Sequence, residues 1–237
     1  MKNRLPRALA LLSALAFCAT PLLASSLDGQ GKKKEPPKKE APKPAEKKPA
    51  PAAKPAAIGS EVDGALEDTA GKSHALKDYR GKIVVLAFWS SGSATNPQQK
   101  RLAKIAQEYA GKNVSVIAVD SVAGEADNAK GVQDAATKSA VGFPVLLDKT
   151  GALAGHLGAK SLDEVFVLDA KGVLRYSGAI DDDPKGEKAD KAQDFLSPAL
   201  KSLAEGKDVA TPTTTPNGGA LHAAEAKKAP APPTGKK

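Results

Sequence analysis

The stretch Lys82-Ile-Val-Val-Leu-Ala-Phe-Trp89 is followed by Ser90-Ser-Gly-Ser-Ala-Thr-Asn96 and then Pro97. A continuous apolar run of β-branched and aromatic residues reads as a strand buried on both faces, hence an inner strand of a largely parallel sheet. The small polar residues after it read as a loop. Pro97 opens a helix, because proline fits the first helical turn. Leu102, Ile105, Ala106 and Tyr109 recur at helical spacing, and Gly111 ends the pattern.

Working outward, Val114–Asp120 reads as a second buried strand, 127–139 as an Ala-rich helix, and Phe143–Asp148 as a short strand. A short helix is expected over 151–157. Glu164–Asp169 and Val173–Ser177 flank the turn Ala170-Lys171-Gly172 and form an antiparallel hairpin. A last helix over 192–204 carries Phe195, Leu196, Leu200 and Leu203 on one face. Strands alternating with helices, closed by a hairpin and a helix, define an α/β fold with a mixed central sheet covered on both faces.

The 237 residues divide into four segments. Residues 1–26 have the pattern of a secretory signal: Lys2, Arg4 and Arg7, a short apolar run, then Pro21 and the small residues Ala24, Ser25 and Ser26. Cleavage there implies export to the periplasm or cell envelope; an uncleaved anchor and a lipid on Cys18 are the alternatives. Residues 27–57 are rich in Lys, Pro and Ala, with no apolar period to order them, and read as a disordered, extended linker. Residues 58–205 form the folded domain, and 206–237 a C-terminal extension with a low-complexity tail.

The net charge of +8 belongs to the ends. Residues 1–27 carry +3, 28–57 carry +5 and 206–237 carry +3, which leaves 58–205 at −3. A slightly acidic domain argues against nucleic-acid binding. The basic tails are suited to anionic lipid or cell-wall polymer, an attraction that fades with salt.

The words of the sequence resemble the thioredoxin-like redoxins of the alkyl hydroperoxide reductase/thiol-specific antioxidant (AhpC/TSA) group. Leu76–Trp89 is similar to that family's approach to its redox loop, and Glu164–Asp182 to its closing hairpin. Thr213–Leu221 is similar to its C-terminal extension. The resemblance spans about 58–221 and implies a thioredoxin-like fold. It also places the family's nucleophilic cysteine at Ser93 (Gly92 if the loop is one residue shorter) and the second cysteine of the pair at Asn96. The proline that precedes the hairpin strand falls at Asp163, and a C-terminal cysteine near Gly219.

None of those positions keeps the family's residue, and Cys18 is the chain's single cysteine. Disulfide exchange and peroxide reduction need a thiolate, which a serine hydroxyl without a neighbouring base cannot replace. Ser93 then reads as a loop residue or a cap on the following helix.

Two functional classes stand side by side. One is a redox-inactive binding or scaffolding module that takes a protein or peptide over Trp89, Ser91, Gly92, Thr95 and Pro97. The other is a thiol-disulfide oxidoreductase or antioxidant, as the resemblance implies. Trp89 reads either as an apolar floor for such a ligand or as a core residue. His74, His156 and His222 are too scattered for a metal site, and Asp181-Asp182-Asp183-Pro184 reads as a solvated turn rather than a calcium loop. No cofactor is implied.

Overall fold

The structure is a computed structural model that describes residues 54–188 and 191–224. A seven-stranded mixed sheet runs in the order β2-β1-β5-β4-β3-β6-β7. The strands are β1 (Ala65–Asp68), β2 (Ser73–Ala75), β3 (Ile83–Trp89), β4 (Val114–Asp120), β5 (Val145–Leu147), β6 (Val165–Leu168) and β7 (Leu174–Gly178). The helices are α1 (Pro97–Glu108), α2 (Ala129–Lys138), α3 (Ala152–Leu157) and α4 (Leu196–Ala204). Strand β3 pairs parallel to β4 and antiparallel to β6, so its backbone is saturated on both sides. Among the described residues no helix is long and apolar enough to cross a membrane.

Alternation along β3 builds two cores at once. Val84, Leu86 and Phe88 join Ile117, Val119, Leu146 and Phe166 on one face, with α3 above them. Ile83, Val85 and Ala87 face the other way, into Leu102 and Ile105 of α1 and Leu196 and Leu200 of α4. Trp89, on this second face, packs with Ala118, Val145 and Leu147 under Val132 and Ala136 of α2. Every residue of β3 is buried, as its unbroken apolar run requires.

Several element ends differ from the sequence pattern for local reasons. Helix α2 starts at Ala129 because the Asn128 side chain accepts from Gly131 N–H. Helix α4 starts at Leu196, not 192: Asp194 bridges to Asp181, and its carboxylate then accepts from Ser197 N–H. The hairpin β1–β2 lies before the region where the periodic pattern begins.

The β6–β7 turn shows why a glycine stands at 172. Its φ is +77°, and a Cβ there would overlap the Arg80 guanidinium lying across the turn. Arg80 is held over it by Glu61 and Asp63.

The solvated turn expected at 181–184 is a correction. Asp181 and Asp183 are buried. Arg101 of α1 pairs with both, and the buried Gln98 amide donates to Asp181 Oδ1 and to the Asp183 carbonyl. These oxygens are committed to N–H donors, because a carboxylate leaving water needs such partners. Beyond 205 the chain continues to pack on the domain: Tyr176 Oη and the Ala179 N–H both meet Thr214 Oγ1, and Ser177 N–H donates to the Pro212 carbonyl.

Candidate functional site

Strand β3 ends at the carboxyl edge of the sheet, where Ser90–Asn96 turns the chain into α1. The loop is held by its own serines. Ser93 Oγ donates to the Ser90 carbonyl at 3.0 Å and accepts from Ser90 N–H at 3.1 Å. Ser93 is 8 % exposed. The helix cap is Asn96, not Ser93: its Oδ1 accepts from Gln99 N–H at 2.9 Å, with Pro97 at the first helical position.

The other face of the Asn96 amide decides the site. Its Nδ2 donates to Asp163 Oδ2 at 2.7 Å, and Gln99 Nε2 donates to Asp163 Oδ1 at 2.7 Å. Asp163 is 6 % exposed, its N–H donates to the Phe88 carbonyl, and its φ is +63°. Burial pushes its carboxyl up, while the two amide donors pull the other way. Asn96 and Asp163, 67 residues apart, are therefore directly bonded, and Ser93 lies in the same short loop, bonded to Ser90.

Of the proposed docking residues, Ser91, Gly92 and Thr95 are exposed and form a polar rim, while Pro97 is half-buried. Trp89 is corrected. At 0 % exposure it is sealed beneath α2, so it is core and offers no apolar floor to a ligand. The surface left at this edge is small, polar and rich in backbone groups.

Sequence reasoning missed three contributors, Gln99, Asp120 and Glu125. Gln99 was hidden because polar residues in a first helical turn are usually solvated, although Gln98-Gln99 directly after Pro97 was the available signal. Asp120 closes β4 beside Trp89 in the parallel register. It is wholly buried, Val122 N–H donates to one oxygen, and no donor faces the other. Burial drives its carboxyl up to about 8; the Val122 bond lowers it and the neighbouring Glu125 carboxylate raises it. Glu125 in turn accepts from Ser91 N–H, tying the loop after β4 to the loop after β3.

The C-terminal extension, which the resemblance places at Thr213–Leu221, also reaches the site. It crosses this edge through bridges from Ala220 to Ser161 and from Ala223 to Val122. Among the described residues no group of three or more His, Cys, Asp or Glu is placed to hold a metal ion. His74 is instead engaged by Tyr79 and Asp68 at 2.8 Å each.

A parallel β3–β4–β5 core, a loop-to-helix turn at its carboxyl edge and an antiparallel β6–β7 closure are on the page, and the AhpC/TSA family profile matches residues 58–177. The chain belongs to the AhpC/TSA family. Within that thioredoxin-like group it is 32 % identical over 114 residues to the thioredoxin-like protein YneN of Bacillus subtilis, covering 48 % of this chain and 65 % of that protein. It is 34 % identical over 119 residues to the thiol-disulfide oxidoreductase ResA of Bacillus anthracis, with the same coverages. The chain thus spans 65 % of the length of these relatives.

Among solved structures, a hypothetical protein of Sinorhizobium meliloti superposes with a TM-score of 0.62 at 26 % identity, over 70 % of this chain and 94 % of that one. An uncharacterized conserved protein of Geobacillus kaustophilus gives the same TM-score at 22 % identity, over 70 % and 91 %, and speaks to fold alone.

Proposed function

We propose that this AhpC/TSA member is a redox-inactive binding module of the bacterial cell envelope, taking an extended segment of a protein partner against the loop Ser91–Thr95. The observation that carries the reading is the hydrogen-bonded pair Asn96–Asp163. The two positions the family resemblance assigns to the second cysteine and the hairpin proline have become a structural latch, held by Gln99 from the next helical turn.

Thiol chemistry needs a nucleophile that leaves and returns as thiolate. Here the first position is a serine whose hydroxyl donates to a carbonyl in its own loop, and among the described residues no base is hydrogen-bonded to it. The latch suits a rigid platform: Asn96 cannot move without freeing Gln99 N–H and an Asp163 oxygen together. Export rests on residues 1–26, and a spacer of Lys, Pro and Ala would hold the domain away from its point of attachment. Residues 1–26 and 27–53 lie outside the described residues; the end of the expected spacer, 54–57, is described, and there Ala56 packs on the domain with its N–H donating to the His156 carbonyl.

A second reading draws on the names of the relatives: thiol-disulfide exchange, as ResA is named for. In this chain it would run through Cys18, the single thiol, which also lies outside the described residues.

The docking site is tested with a photo-crosslinking side chain at Thr95, and a matched one at Gln107 near the far end of α1, in the full chain in its own envelope. A discrete adduct from position 95 alone, lost in a Ser91→Arg/Gly92→Arg variant of unchanged thermal stability, is the expected result. Equal labelling from both positions overturns the docking site.

A further inference from the structure

The segment after α4 is fixed in two unequal steps. Pro212–Thr214 is clamped on β7, where Gly178 leaves room for Thr214. After Thr215 and Pro216 the chain crosses the carboxyl edge of the sheet, held mainly by backbone. Leu162 N–H and Ser161 Oγ both donate to the Gly219 carbonyl, at 2.7 and 3.1 Å. Leu221 N–H donates to the Lys160 carbonyl, Ala123 N–H to the His222 carbonyl, and Ala224 N–H to the Ser121 carbonyl. One side chain contributes, with Asn217 Nδ2 donating to the Asp181 carbonyl at 2.6 Å.

This segment buries little. Residues 217–224 are half-buried or exposed throughout, and Leu221 and Ala223 alone among them touch a core cluster. Elements with few apolar contacts and exposed backbone bonds open at a small fraction of the global unfolding cost. The groups they cover are the backbone donors and acceptors of 121–123 and 160–162, immediately before Asp163.

We propose that residues 217–224 are a self-supplied strand occupying a backbone docking edge, and that an extended polypeptide carrying glycine at the place of Gly218 competes for that edge. Main-chain pairing supplies affinity in this mode, and pockets supply selectivity. The selectivity is steric: a Cβ at 218 would overlap the Leu162 carbonyl oxygen, so the crossing position admits glycine and no larger residue. This rests on the binding reading above and extends it: Ser91, Gly92 and Thr95 are exposed with the strand in place, and release of the strand would add the backbone groups of 121–123 and 160–162 as a second docking edge. The test contains no partner, so its failure is separate from a failure of crosslinking at Thr95.

The test is amide hydrogen exchange on the full chain with Gly218→Val. Exchange at Leu162 and Ala123 should accelerate at least tenfold, with Val85 and Leu86 unchanged. A synthetic peptide of the sequence Pro216–Ala224, added in excess, should restore protection, and the same peptide with valine at the Gly218 place should not. If Val85 and Leu86 also accelerate, the same measurements are made on Leu221→Pro, which removes the donor to Lys160 together with the leucine side chain and leaves Gly218 in place. No acceleration at Leu162 and Ala123 in the variant with an intact core, or protection restored equally by both peptides, overturns the proposal.

Discussion

Asp163 carries the largest share of the site's chemistry. It presents two carboxylate oxygens to two amide donors, from Asn96 and Gln99, inside a buried pocket. Replacing it by alanine leaves both donors unpaired and places a Cβ residue at φ +63° without a local hydrogen bond to compensate. The expected cost of Asp163→Ala is about 2–4 kcal/mol, read from urea unfolding. Asp163→Asn should cost far less. The buried Gln99 Oε1 has no donor in the native site, and reversal of the Gln99 amide would give it one. Equal destabilisation by both substitutions would refute this account of the latch.

Trp89 makes the opposite point, that a residue placed at a functional edge can be purely structural. Trp89→Ala should cost about 3–5 kcal/mol through the cavity left under α2, measured as a fall in the urea midpoint. A mild loss would mean that the side chain is not sealed as described.

Asp120 gives the domain a pH dependence of definite sign. Its ordinary value is 3.8, and in the folded protein burial lifts it to about 8. Between these values the folded state holds a proton that the unfolded chain releases, so stability falls as pH rises through the window and levels off above it. Asp120→Asn keeps the Val122 bond and removes the titration. The difference in stability between this variant and wild type should therefore widen in favour of the variant from about pH 4 to about pH 8. A difference that is flat over that range contradicts the assignment.

At the scale of elements, helix α1 is anchored at its start by Asn96 and one turn on by Arg101 and Gln98, which reach the loop after β7. Asn96→Ala should destabilise by more than the ~1 kcal/mol of an ordinary cap, because Asp163 loses a partner as well. A double-mutant cycle of Asn96→Ala with Asp163→Ala checks this. A coupling near zero would mean that the two side chains act independently.

The elements also show what the sequence made legible. Strand β3, strand β4 and the β6–β7 hairpin were readable because each is buried on both faces or closed by a glycine turn, so composition and period agree. Hairpin β1–β2 was not: its strands have four and three residues, half-exposed, and pair at an edge. The ion cluster at 181–183 was read as solvated because its cation, Arg101, lies 80 residues earlier in the chain, and that separation leaves no local signal of contact. Of the site, the positions Ser93, Asn96 and Asp163 were identified through the family resemblance. Their bonding was not, since residues 67 apart leave no local signal of contact.

At the scale of the whole molecule, the fold is a thioredoxin-like redoxin scaffold, and at the carboxyl edge of β3 amide–carboxylate hydrogen bonds join Asn96 and Gln99 to Asp163. The family match covers 58–177, and the geometry brings Asn96 to Asp163. The C-terminal extension packs on the domain through Ala224, because Thr214 fills the space left by Gly178 and Gly218 allows the chain to pass Leu162. We propose that fold and thiol chemistry separate in this chain: the sheet, the helices and the loop surround Ser93, Asn96 and Asp163, the positions where the resemblance places the family's redox residues.

The most direct test of that separation is insulin disulfide reduction by the purified wild-type chain, beside a Ser93→Cys/Asn96→Cys variant. The account predicts no turnover above buffer for wild type, and a new dithiothreitol-dependent activity in the variant, whose two thiols lie in the loop and cap just before α1, where a helix N-terminus favours thiolate. Turnover by the wild-type chain that persists in a Cys18→Ser variant would contradict it, and would place catalysis in groups other than thiols.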